Sequence, residues 1–282
     1  MAGTGLGALT HAAWVERVPD LVAERRRAWG LRLGALYVAG AAGYTVRAEL
    51  PDGAPAVLKL VFPHRESEHE ADALALWDGD GAVRLLARDP DGHALLLERC
   101  EPGTPLGAVG ADAALGAMVG LLPRLWKPAG APFRPLAEEA EWWADSLPAA
   151  WERLGRPFPR RLLELALHAL AELPPTQGEQ VLLHQDLHAD NVLAAAREPW
   201  LAIDPKPLVG EREFGVAALV RGGELGHSRH DVVYRLDRLT AELGLDRERA
   251  RLWALAQTLA WAFDDDEFHP DHVEIAGWLA DA

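Results

Sequence analysis

The chain has 282 residues, 49% of them apolar and 25% charged, and carries a formal charge of −15. Those proportions fit a folded protein with a sizeable core and exclude wholesale disorder. The acidic balance argues against a nucleic-acid partner, whose phosphates it repels, and suits either a cationic ligand or plain solubility.

The length accommodates one large domain or two lobes. A single cysteine, Cys100, cannot form an internal disulfide and fits a reducing compartment. No apolar run has the length needed to span a bilayer, and residues 1–9 are Gly-rich with no basic start before an apolar stretch. The expected location is the cytoplasm, with no membrane partner.

In chain order, Trp14, Val18, Leu21, Val22 and Trp29 recur at near-helical spacing and predict a helix over 11–29. Three strands are predicted next, at 36–38, 44–50 and 56–61, separated by Gly40-Ala41-Ala42-Gly43 and Pro51-Asp52-Gly53. A helix is expected from Glu66 to Trp77, then strands at 82–87 and 94–98 around Asp89-Pro90-Asp91-Gly92. The stretch 99–105 holds two prolines and a glycine and reads as a connector. Helical patterning then dominates, at about 111–126, 136–154, 159–172, 228–243, 246–263 and 270–281. Between them 191–194 and 200–203 are short apolar runs that read as a small hairpin. The expectation is an α+β chain: a five-stranded antiparallel sheet with one helix over 1–99, a mainly helical lobe over 100–282, and a cleft at the join.

Phosphoryl transfer needs a positioned nucleophile, metal ions bridging phosphates and fixed positive charge on the nucleotide. The loop His184-Gln185-Asp186-Leu187-His188-Ala189-Asp190-Asn191 offers two of these. Asp186 is the candidate base for an attacking hydroxyl. Asn191 and Asp204, the latter closing the run Trp200-Leu201-Ala202-Ile203, offer the oxygen ligands that Mg²⁺ prefers. Lys59, flanked by Leu58 and Leu60 inside a strand, reads as a clamp on the α- and β-phosphates, with Glu70 its partner and Glu66 and Glu68 on the same helix as alternatives. The plain alternatives are a solvated turn at 184–191 and an edge-strand lysine facing water. Gly40 and Gly43 belong either to a phosphate-covering turn or to an ordinary hairpin. No Gly-x-x-x-x-Gly-Lys-Ser/Thr occurs, so a Walker-type site is unsupported.

Two other readings compete. His184, Asp186, His188 and Asp190 could ligate a metal in a hydrolase, although the Glu of His-Glu-x-x-His is missing. A nucleotide-binding scaffold without catalysis is the other.

The segments 52–59, 81–86, 183–191 and 200–211, the last reading Trp-Leu-Ala-Ile-Asp-Pro-Lys-Pro-Leu-Val-Gly-Glu, resemble the aminoglycoside/hydroxyurea antibiotic resistance kinases. The resemblance extends from about residue 35 to Trp261. It implies a two-lobed protein-kinase-like fold that uses ATP and Mg²⁺. It also implies Lys59 on ATP, Asp186 as the catalytic base and Asn191 and Asp204 on magnesium, with the backbone near Glu98 and Cys100 meeting adenine. The implied acceptor is a hydroxyl of a small cationic molecule, an aminoglycoside such as streptomycin, with hydroxyurea or an amino sugar as alternatives. Gln185, which stands where the family usually carries Gly, is a candidate acceptor contact. So are Glu211, Trp261 and the acidic run Asp264, Asp265, Asp266 and Glu267. Glu138, Glu139 and Glu141 beside Trp142 and Trp143 are of similar character.

Overall fold

The computed structural model describes residues 10–40, 43–264 and 267–282. Its contacts divide the chain into two compact units, one running to Thr104 and including Ala194–Lys206, the other formed by Pro105–Leu193 and Pro207–Ala282. A single boundary at residue 99 does not anticipate this, because Ala194–Lys206 returns to the first unit.

In the first unit, helix α1 (His11–Ala28) is capped by the Thr10 hydroxyl, which accepts from the Ala13 N–H at 3.3 Å. Strands β1 (Arg32–Gly40), β2 (Gly43–Glu49), β3 (Pro55–Val61), β4 (Leu85–Arg88) and β5 (Ala94–Glu98) form one antiparallel sheet in the order β1-β2-β3-β5-β4. Side chains alternate across a strand, so Ala56, Leu58 and Leu60 of β3 face one way, joining Trp14 and Val18 of α1 in a buried cluster. Lys59 is thereby turned to the opposite face. It sits in a central strand, between Thr45 of β2 and Leu95 of β5, so the edge-strand alternative fails.

The helix expected from Glu66 to Trp77 is broken. A short 3₁₀ turn (Arg65–Ser67) is fastened by the Ser67 hydroxyl, which accepts from the His64 N–H at 3.0 Å. His69 then takes a left-handed φ of 65°, and α2 (Glu70–Trp77) starts at Glu70. Glu66 and Glu70 therefore lie on different elements. The returning segment is stitched to this unit through a strand, Trp200–Ala202. The Ala202 N–H donates to the Gly81 carbonyl at 2.9 Å, and the Val83 N–H donates to the Ala202 carbonyl at 3.0 Å.

The second unit contains helices α3 (Ala111–Leu125), α4 (Leu136–Arg153), α5 (Arg160–Glu172), α6 (Ala217–Arg221), α7 (Arg229–Leu243), α8 (Arg247–Ala260) and α9 (Pro270–Ala280). Helix α8 is its core. Trp253, Ala254, Leu255, Ala256 and Leu259 are fully buried, and α5, α6, α7 and α9 all pack on it. A three-stranded sheet sits among the helices, with Leu208–Gly210 central, parallel to Arg134–Pro135 and antiparallel to Val181–Leu183. No helix among the described residues is long and apolar enough to cross a membrane.

Candidate active site

The first unit presents a charged cluster built on three short stretches. Lys59 reaches Glu70, the first residue of α2, at 2.6 Å, and Asp204 at 2.5 Å. The Lys59 side chain is 12% exposed and Glu70 is 3% exposed, whereas Asp204 is half exposed at 50%. Burial alone would lower the Lys59 ammonium, but the carboxylates of Glu70 and Asp204 outweigh it and hold the group above its ordinary value. Burial pushes the Glu70 carboxyl up to about 7, with Lys59 opposing the rise and the Asp204 charge adding to it. Two carboxylates thus share one ammonium, Asp204 being the more exposed of the two. Asp204 itself has a left-handed φ of 58°. Beside it Lys206 pairs with Glu66 at 3.2 Å.

Gly40 ends β1, Gly43 begins β2 and the two pair with each other, while Ala41 and Ala42 lie outside the described residues. A Cβ on Gly43 would come 3.0 Å from the Leu60 carbonyl, so a side chain there would require the strand to shift slightly. Glu98 spends its carboxylate on Arg197, which reaches both oxygens at 2.9 Å and also donates to the Gly79 and Ala82 carbonyls. Burial works against that carboxylate's charge, but Arg197 and the Arg84 N–H hold it below its ordinary range. Cys100 is buried, which pushes its thiol up to about 12, with the Glu98 charge adding to the rise. At this pair only backbone groups remain for a ligand.

In the second unit the loop 184–191 follows the fully buried strand Val181–Leu183. The Asn191 side-chain amide donates to the Asp186 carbonyl at 2.9 Å. Its N–H₂ end is thereby used, and its oxygen is the end left for a cation. Asp190 and Asn191 belong to a 3₁₀ turn, Ala189–Asn191, whose first N–H is held by Glu224 at 2.7 Å. Gln185 is 4% exposed with φ 64°, and neither atom of its side-chain amide finds a hydrogen-bond partner. Its carbonyl accepts from Gln257 at 3.1 Å. Gln257 in turn accepts from Arg221 at 3.4 Å, and Arg221 lies 3.8 Å from the Asp186 carboxylate. The Arg221 guanidinium stacks 4.5 Å from the centre of the Trp261 ring. The Trp261 carbonyl accepts from His272 at 2.8 Å.

Arg221, Gln257 and Glu224 escaped sequence reasoning. They lie on α6, on α8 and in the turn after α6, with no motif joining them to residue 186. The chemistry of the loop is an acid flanked by a cation and an amide oxygen. Among the described residues, the one grouping of three His, Cys, Asp or Glu ligand atoms close enough for a metal ion is the exposed set His227, Asp271 and Glu274. None belongs to the loop, so the hydrolase reading lacks a metal cluster there.

Two proposed acceptor contacts are corrected. Glu211 is 3% exposed and its carboxylate is consumed by Arg249 at 2.7 and 2.9 Å and by the Trp253 indole N–H at 2.5 Å. Glu139 is fully buried against Arg134 at 2.7 Å. A buried, paired carboxylate is a brace rather than a receptor for a soluble cation. Trp261 has one use already, as the platform for Arg221. Asp264 and Glu267 face each other in register across a two-stranded hairpin, and Asp265 and Asp266 lie outside the described residues.

Comparison with known proteins gives the family and the fold. The family model described as aminoglycoside/hydroxyurea antibiotic resistance kinase matches residues 29–266. A hydroxyurea phosphotransferase of Kitasatospora aureofaciens is 42% identical over 280 residues, spanning 96% of this chain and 80% of that protein. A streptomycin 6-kinase of Streptomyces griseus is 40% identical over 280 residues, spanning 95% of this chain and 91% of that protein. Among solved structures, the choline kinase LicA from Streptococcus pneumoniae superposes with a TM-score of 0.67 at 14% identity, covering 94% of this chain and 100% of that one. That likeness shows the fold, which is protein-kinase-like. With the fold, the Lys59 cluster and the family match in agreement, the chain is an enzyme that belongs to the aminoglycoside/hydroxyurea antibiotic resistance kinases.

Proposed function

We propose that the protein transfers the γ-phosphate of ATP to a hydroxyl of a small cationic acceptor, an aminoglycoside such as streptomycin. The observation that carries the nucleotide half is Lys59, a cation fixed on a central strand between two carboxylates. The two carboxylates favour its charged form, and Glu70 sets its position. Lys59 binds the α- and β-phosphates. Asn191 offers an amide oxygen and Asp204 a half-exposed carboxylate, hard oxygen donors that suit magnesium. When bound, that ion would neutralise charge on the phosphates.

Asp186 accepts the proton of the attacking hydroxyl. The oxygen of that hydroxyl forms the new bond to phosphorus, the bond from phosphorus to the β,γ-bridging oxygen breaks, and ADP leaves. Arg221 and the amide of Asn191 keep the Asp186 segment in place. The acidic stretch from Asp264 to Glu267 follows Trp261 closely and is assigned to the ammonium or guanidinium groups of the acceptor. The streptomycin 6-kinase relative supports the aminoglycoside assignment. The 42% identity to a hydroxyurea phosphotransferase favours hydroxyurea as the second reading.

The test is ATP consumption against streptomycin, other aminoglycosides, hydroxyurea and amino sugars, with the product identified by mass spectrometry. Asp186→Asn is the control, expected to lose about 10²- to 10⁴-fold in kcat. Phosphorylation of streptomycin by the parent supports the proposal, and turnover of hydroxyurea alone replaces it with the second reading. A variant as fast as the parent removes Asp186 from the mechanism.

A further inference from the structure

The sequence after Asp204 is Pro205-Lys206. Asp204 takes a left-handed φ of 58°, and the proline that follows fixes its own φ near −65°. The chain bends at Asp204, and Lys206 follows two residues on. The Lys206 ammonium meets Glu66 at 3.2 Å, on the 3₁₀ turn that Glu68 and His69 separate from α2. Glu66 and Glu70 thus hold one lysine each, and Asp204 completes the set. His64 stands among these groups. Burial pushes its imidazole down, Glu66 and Asp204 oppose that, and both Lys206 and Lys59 reinforce it. All four charges therefore act at one place.

The two lysines are not equivalent. Lys59 is 12% exposed and committed to two carboxylates, whereas Lys206 is 24% exposed and holds Glu66, itself 29% exposed. A partly exposed lysine–carboxylate pair contributes little to stability. It is readily exchanged for a stronger anion, and a phosphate with two charges is one. The cluster as it stands carries three carboxylates against two ammonium groups, an arrangement that repels a triphosphate unless cations are released to it.

We infer that Lys206 is a second phosphate-binding lysine, which leaves Glu66 to contact the terminal phosphate of ATP on the side of Asp204. The inference rests on the nucleotide reading of the Lys59 cluster. Lys59 serves the phosphates that ATP and ADP share; Lys206 serves the one that ADP lacks. It follows that Lys206 sets the preference for triphosphate over diphosphate, and that Glu66 competes with the nucleotide for it.

The experiment is calorimetric titration of the full chain with magnesium-ADP and with a magnesium complex of a non-hydrolysable ATP analogue. Parent, Lys206→Met, Lys206→Arg and Glu66→Gln are compared. Lys206→Met should weaken the analogue about tenfold or more and ADP by less than about twofold, as expected for loss of one charge-assisted contact. Lys206→Arg should restore most of that loss, and Glu66→Gln should tighten the analogue alone. Equal losses for both nucleotides, or no loss for either, would overturn the assignment and leave the Lys206–Glu66 pair structural. A parent that binds neither nucleotide would instead sink the ATP reading itself, so the two failures are distinguishable.

Discussion

Replacing Glu211 by alanine should unfold the second unit far more easily without touching acceptor recognition. The carboxylate receives the Arg249 guanidinium at 2.7 and 2.9 Å and the Trp253 indole at 2.5 Å, and it is 3% exposed. Removing one partner of a buried ion pair costs about 3–5 kcal/mol, because the other charge is left uncompensated. Arg249 keeps the Thr176 hydroxyl at 3.0 Å and the Leu173 carbonyl at 3.1 Å, and its side chain is 23% exposed. The ion-pair part therefore belongs at the low end, about 3 kcal/mol. Trp253 is fully buried and would lose its acceptor, adding about 1 kcal/mol. The sum is about 4 kcal/mol, or roughly 10 °C in Tm for a protein of this size. Glu211→Gln retains one oxygen for one of the two donors and should lose about half as much. Denaturant unfolding followed by tryptophan fluorescence, beside steady-state kinetics on the folded variants, reads both effects. Alanine within about 1 kcal/mol of the parent, together with a raised KM for the acceptor, would refute the brace and return Glu211 to the acceptor pocket.

At position 185 the usual ranking of alanine over glycine should reverse. With φ at 64°, Gln185→Gly relieves a left-handed backbone and should be more stable than Gln185→Ala by about 1 kcal/mol in chemical denaturation. An alanine variant that is equal or better would show that the strain is absent. His272 provides a pH test. Burial, reinforced by the Arg221 charge, pushes it down to about 4. The unfolded chain then binds a proton below about 6.5 that the folded chain refuses, so stability falls as pH drops from about 6.5 through 4. His272→Asn should flatten that portion of a stability–pH curve measured by denaturant midpoints, and an unchanged slope would rule His272 out as its source.

Much of this was legible because period and length agreed. Seven helices among the described residues follow apolar spacing over eleven or more residues, and their observed limits fall within a few residues of the spacing. The face of Lys59 was legible too, since Ala56, Leu58 and Leu60 alternate with it. What failed was local or long-range. The strands Arg134–Pro135, Val181–Leu183 and Leu208–Gly210 are two or three residues long, too short for any period, and exist because they pair with one another. The break before α2 occurs at His69, a residue carrying no turn signal of the glycine or asparagine kind. The return of Ala194–Lys206 to the first unit depends on bonds to Gly81 and Val83, over a hundred positions away. Of the candidate site, the residues at 59, 70, 186, 191 and 204 could be proposed because they have motif spacing. Arg221, Gln257 and Glu224 were missed because their meaning comes only from proximity.

Two of those motif stretches share a feature that spacing alone does not announce. Gln185 and Asp204 both occupy left-handed backbone, and neither is a glycine. Such residues cost about 1–3 kcal/mol each and persist only where the surroundings over-determine them. At Gln185 the surroundings are a buried chain of polar contacts, from its own carbonyl to Gln257 and on to Arg221. At Asp204 they are the bond from Lys59 and the stitching of Trp200–Ala202 onto Gly81 and Val83. In each case the strained residue is the candidate chemical group or its immediate neighbour, so the interactions that offset the strain also fix where a carboxylate points. Asp186 inherits its direction from the twist at 185, and Asp204 carries its own. Removing the Asp204 carboxylate should therefore cost turnover, whereas Gln185→Gly, which places there the residue the family usually carries, holds the same twist without strain and should keep turnover, which separates the role of these twists from that of the brace at Glu211.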